Sequence, residues 1–136
     1  MKKLSAALLI YLGLASAALA QSPAINVPAT MASAPIAITT ATTTLVITGI
    51  SGKFMYVTAI DVVAAGTGNI QFITGTGATC AVGTVNVTGN YNLTAQAGFA
   101  KGSGFGALWV LPSGNSLCAV TSAGVGMHGS IAYAWL

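Results

Sequence analysis

Residues 127–135 read Met127-His128-Gly129-Ser130-Ile131-Ala132-Tyr133-Ala134-Trp135. In an extended chain Ile131, Tyr133 and Trp135 lie on one face, and His128, Ser130, Ala132 and Ala134 on the other. That period of two predicts a strand with one apolar face. The same rhythm recurs upstream. In 83–88, Val85 and Val87 oppose Thr84, Asn86 and Thr88; in 43–49, Leu45 and Ile47 oppose Thr44, Val46 and Thr48. Strands that are apolar on one face only belong to antiparallel sheets packed face to face.

Thr, Val and Ile dominate from Ile36 onward, and glycines interrupt them at short intervals. No segment of helical length carries a 3.6-residue apolar period without a glycine inside it. The predicted strands are 36–40, 43–50, 54–64, 69–74, 83–88, 91–96, 105–111, 116–122 and 127–135. Turn chemistry separates them, for example at Gly75-Thr76-Gly77, Gly89-Asn90, Gly102-Ser103-Gly104 and Pro112-Ser113-Gly114-Asn115. About eight or nine short strands in a domain of this size predict an antiparallel β-sandwich, jelly-roll-like in winding. Leu45, Ile47, Val85, Val87, Leu117, Ile131, Tyr133 and Trp135 are its expected core.

Two segments precede that domain, which is expected to span 36–136. Lys2 and Lys3, the apolar run from Leu4 and the Ala18-Leu19-Ala20 junction read as a secretory signal peptide over 1–20. Cleavage before Gln21 would leave no integral membrane span and would send the chain to the periplasm, the cell surface or the medium. Residues 21–35 contain Pro23, Pro28 and Pro35 and read as an extended N-terminal arm, loose or laid along a neighbouring subunit. In an oxidising compartment the two cysteines, Cys80 and Cys118, read as a structural disulfide. It would close a loop of about 39 residues and add about 4 kcal/mol in the chain-entropy picture.

Composition excludes several classes of function. Only 4% of the 136 residues are charged. Asp61 is the sole carboxylate side chain, so chemistry that needs paired carboxylates has no second partner. His128, Asp61, Cys80 and Cys118 are the whole inventory of metal-ligating side chains, and no cofactor is expected. Once residues 1–20 are removed, Lys53 and Lys101 alone oppose Asp61, too few for a nucleic-acid partner. A Ser-His-Asp set can be assembled arithmetically from Asp61 and His128, but no G-x-S-x-G elbow accompanies it. Asp61 is instead expected to accept hydrogen bonds from a loop or to pair with Lys53 or Lys101. His128 is expected on an outer face.

What remains is binding or assembly. The outward strand faces carry Thr, Ser, Asn, Gln, Ala and Gly, without the charges that normally keep β edges apart. The leading expectation is an exported, non-enzymatic structural or adhesive protein whose partner is itself. The alternative is a monomeric glycan- or surface-binding module, with Tyr91 and its neighbours Asn90 and Asn92 at a turn as the expected ligand contacts. A small outer-membrane barrel would need longer strands than most of those predicted.

Gly75-Thr76-Gly77-Ala78-Thr79-Cys80, the stretch Thr84-Val85-Asn86-Val87-Thr88, Ser113-Gly114-Asn115-Ser116-Leu117-Cys118 and the close at Gly129-Ser130-Ile131-Ala132-Tyr133 form a recognisable cadence. Over residues 75–133 the chain resembles small Cys-paired β proteins of bacteriophages and bacterial genomes, whose roles are unassigned or virion-structural. The resemblance implies a β-sandwich of phage derivation in a structural role, and brings no catalytic residues with it.

Overall fold

In the computed structural model, residues 31–104, 106–122 and 125–136 are described. The expected signal peptide, 1–20, and most of the expected arm, 21–30, lie outside them. The described residues hold ten strands and no helix. They are β1 Ala32–Ile38, β2 Thr43–Ile47, β3 Met55–Ala64, β4 Gly68–Thr76, β5 Val82–Asn86, β6 Tyr91–Leu93, β7 Gly98–Gly102, β8 Trp109–Leu111, β9 Ser116–Thr121 and β10 Met127–Trp135. All pairings are antiparallel.

Two five-stranded sheets result. One runs β1-β10-β3 and ends in β7 and β8, which pair with successive halves of β3. The other runs β2-β9-β4 and ends in β5 and β6, which divide β4 in the same way. With β5 and β6 counted as one interrupted position, and β7 and β8 as another, eight strand positions wind through the two sheets and change sheet at every step but that from β4 to β5. That winding is a jelly roll. The sheet edges are not joined into a closed ladder, and the space between the sheets is filled with side chains.

The core comes from the inward faces. Val57, Ile60 and Val62 of β3, Ile70 and Phe72 of β4, Leu117 of β9 and Ile131 of β10 are buried in one cluster with Ile36, Ile38 and Ile47. Tyr133, Trp135 and Val87 are half-buried against it. Leu45 and Val85, both expected in the core, are exposed. Leu45 is displaced by a bulge: Leu45 pairs with Cys118 but Ile47 with Leu117, so Val46 is an extra residue and the inward phase changes. Val85 does share a face with Val87, but β5 is an edge strand exposed along its whole length.

A second bulge sets the phase of β3. Simple alternation puts Met55, Val57, Ala59, Asp61 and Val63 on one face. Ala132 pairs with Ala59 and Tyr133 with Val57, which leaves Thr58 as the extra residue. Met55 and Val57 therefore point inward at one end, and Ile60, Val62 and Ala64 at the other. Thr58 is satisfied locally. Its hydroxyl donates to Ala132 O (3.2 Å), and its carbonyl accepts from Ser103 N–H (3.0 Å) and Ser103 Oγ (3.1 Å).

Several other boundaries differ from the expectation: the strand expected over 105–111 is confined to Trp109–Leu111, and that over 91–96 to Tyr91–Leu93. The first strand starts at Ala32, so Pro35 lies within it rather than in the arm. β1 is an edge strand, whose outer side has no ladder for the missing N–H to break. The segment 98–102, not among the predicted strands, is β7. Its Gly and Ala residues hid it: Gly98 lies so close to β3 that an added Cβ would sit 2.4 Å from Val62 O.

Cys80 and Cys118 form a disulfide on the outer side of the β2-β9-β4-β5 sheet, buried with Ile73 in a second small cluster against Val120. It holds the β4–β5 turn down over β4. That turn folds back so tightly that a Cβ on Gly75 would lie 2.6 Å from Cys80 O and 2.9 Å from Val82 O. Cys80 itself has φ of 55°, a left-handed conformation that costs a non-glycine residue about 1 kcal/mol or more.

Two outcomes follow from this clamp. Replacing both cysteines by alanine lowers the unfolding free energy by about 2–5 kcal/mol in urea titration. Gly75→Ala lowers it by about 2 kcal/mol or more, whereas Gly89→Ala, where an added Cβ meets nothing within 4 Å, stays within about 0.5 kcal/mol of the native chain.

Candidate functional site

A jelly roll has two seams where its sheets meet edge to edge. Along one, β1 passes directly into β2 through residues 39–42, and Thr121 Oγ1 donates to Thr40 O (3.0 Å). The other seam runs between the β5/β6 edge and the β7/β8 edge. Its two halves are built differently.

Where β6 faces β7, the seam is plugged. The rings of Tyr91 and Phe99 pack with centroids 4.4 Å apart, one from each sheet. Lys101 lies 4.5 Å from the Tyr91 ring centroid and donates to its hydroxyl at 2.9 Å. The sequence reading offered Tyr91 as an exposed ligand contact; the ring is half-buried and occupied by Phe99 and Lys101. Asn90 and Asn92 are exposed. Asn92 pairs with Asn69 across the ladder and lines a shallow depression of about 340 Å³ with Thr67, Thr94 and Ser122.

Where β5 faces β8, the seam is open. A groove of about 350 Å³ lies there, bounded by Val85, Asn86 and Val87 on one side and by Trp109, Val110 and Leu111 on the other. The Trp109 ring packs against Phe72, centroids 5.5 Å apart, and is half-buried. None of the described residues that line the groove is charged. β5 pairs only with β4, and β8 only with β3, so each has an edge without a ladder partner among the described residues. The break between β5 and β6 is firm: Val87 and Thr88 N–H both donate to Phe72 O (2.9 and 3.1 Å), and Thr88 Oγ1 accepts from Phe72 N–H (3.0 Å). The groove wall is therefore fixed to the core strand behind it.

Asp61 lies on the outer face of the other sheet, level with Ser130, whose hydroxyl donates to its carboxylate. Its partner is thus a neighbouring strand, neither a loop nor a lysine. Lys101 pairs with Ile60 across the ladder and reaches the seam instead. His128 is exposed beside Val63, and among the described residues it forms no hydrogen bond with Asp61 or Ser130. Among those residues no three of His, Cys, Asp and Glu come together. The chain matches no family model, no curated protein and no solved structure.

The groove was missed in the sequence because Val85 and Val87 both read as core. The one available signal was Pro112, which stops the apolar run at Leu111. The plug generates a prediction. Tyr91→Ala opens the second half of the seam and costs about 1–3 kcal/mol in denaturant titration, while Asn90→Ala and Asn92→Ala each change stability by less than about 0.5 kcal/mol.

Proposed function

We propose that this chain is an exported, non-enzymatic structural protein that assembles with copies of itself, after removal of residues 1–20 as a signal peptide. One observation carries the reading: the open half of the seam combines strand edges that lack ladder partners with exposed apolar side chains. Val82, Val85 and Val110 are 66%, 59% and 54% exposed around it. Edges of this kind on soluble monomers are blunted with charge, covered or bulged away, because a bare edge pairs with whatever strand it meets. Here Gly83 disrupts part of β5, with Thr74 opposite Val85 and Thr76 opposite Val82, but no charged residue guards the groove. The disulfide agrees with an oxidising environment outside the cytoplasm. The sparse ionisable inventory favours a structural role over catalysis.

A second reading has its own support. The depression lined by Thr67, Asn69, Asn92, Thr94 and Ser122 offers neutral donors and acceptors suited to sugar hydroxyls. On that reading the chain is a monomeric glycan-binding module.

Size-exclusion chromatography with light scattering on the exported protein separates the two. Self-association predicts a species several times the mass of the processed monomer, which is about 11 kDa. A monomer at all concentrations, with saturable binding on a glycan array that Asn92→Ala weakens, would transfer the function to the second reading.

A further inference from the structure

We infer that the open half of the seam receives residues 24–27 of a second copy of this chain, laid as a short strand along the free edge of β8. The inference rests on the self-association proposed above and names its contact.

The seam itself indicates what is missing. Its β6/β7 half is closed by one aromatic ring from each sheet, whereas its β5/β8 half has Trp109 as a half-buried floor, apolar walls and free backbone edges. An occupant must be short, because β8 is three residues long and is ended by Pro112. It must be uncharged, because no lining residue can pair with a charge. It must also present apolar side chains at alternate positions. Ala24-Ile25-Asn26-Val27 has these properties. Ile25 and Val27 fall on one face, no residue of 21–31 is charged, and Pro23 and Pro28 bracket the stretch so that ladder pairing stops at both ends. Addition of such a strand to an open edge supplies main-chain hydrogen bonds, and the groove supplies pockets for alternate side chains.

Reach decides whose groove it enters. Ala32, Tyr133, Val57 and Trp109 stand in one row across the sheet. A strand beyond β8 would lie four strand spacings from β1, about 19 Å. Going back from Ala32 to Val27, the chain covers at most about 18 Å when fully extended. That leaves no length for the turn out of the direction of β1. The chain's own groove is out of range, and a neighbour's is not. Arm and groove occupy opposite edges of the sandwich, so the contact is heterologous and repeats from copy to copy, giving a filament or a closed ring.

The test uses two exported chains, one with Val27→Cys and one with Val110→Cys, mixed and treated with a short bismaleimide that leaves the native disulfide alone. The expected product is a covalent dimer joining residue 27 of one chain to residue 110 of the other. It should exceed by about tenfold the yield when Val63→Cys, equally exposed but on the outer face of the β3 sheet, replaces Val110→Cys. In parallel, a chain carrying Ile25→Lys and Val27→Lys is expected to run as a monomer with an unchanged thermal midpoint. If that chain assembles as the native chain does, self-association stands and the arm's role is overturned. A link formed within one chain that carries both cysteines overturns the second copy as host. A native chain that is monomeric overturns both the assembly reading and this one.

Discussion

Packing between the inward faces of β3 and β4 holds the two sheets together, and the other strands are arranged around it. Val57, Ile60 and Val62 from one strand and Ile70 and Phe72 from the other are essentially excluded from water. At about 25 cal/mol per Å², such burial is the largest favourable contribution available to a chain with so few charges. Burial has no direction, however. It requires apolar side chains to face inward all along a strand, and β3 meets that requirement only because Thr58 is extruded as a bulge. The extra residue re-aims the strand partway along, so both of its ends contribute to the core.

The same bulge divides the strand's outer edge. β7 pairs with β3 from Ala59 to Val63, β8 pairs from Met55 to Val57, and Ser103 is held by Thr58 between them. A comparable break occurs in β4, where Phe72 O takes two hydrogen bonds from Val87 and Thr88 instead of continuing the ladder. Both sheets therefore end in two short strands where a jelly roll ordinarily has one. The seam between those ends can be closed only piecewise. Tyr91 and Phe99 close one piece, and the other piece remains a groove with bare strand edges.

A backbone edge without a partner is a demand as well as an opportunity. Its donors and acceptors are met by water or by another strand, and apolar neighbours such as Val85 and Val110 favour the strand. The near absence of charge on the outer faces removes the usual obstacle to such pairing. The outer face of the β1-β10-β3 sheet is lined by Ser33, Pro35, Ala37, Ser130, Ala132 and Ala59, and its one carboxylate is already engaged by Ser130. These surfaces are the physical ground for the assembly proposed above.

Much of the architecture was legible in the residues. The period of two in 127–135 and 83–88, the glycine-rich separators and the Thr-Val-Ile composition determined an all-β chain of antiparallel sheets, and the even cysteine pair, read with an expected export, predicted the disulfide that the structure contains. The strand and turn signals are local, written in neighbouring residues. Leu45, Asp61, Tyr91 and Val85 were placed by tertiary structure alone. A one-residue bulge inverts every later side chain in a strand, and no local pattern marks where it falls, so the phase of β2 and β3 could not be followed along the sequence. Tyr91 became a plug and Val85 the lip of a groove because strands distant in the chain met along a seam. The closure of that seam depends on which edges come together, and strand order is settled only when the whole core is buried at once.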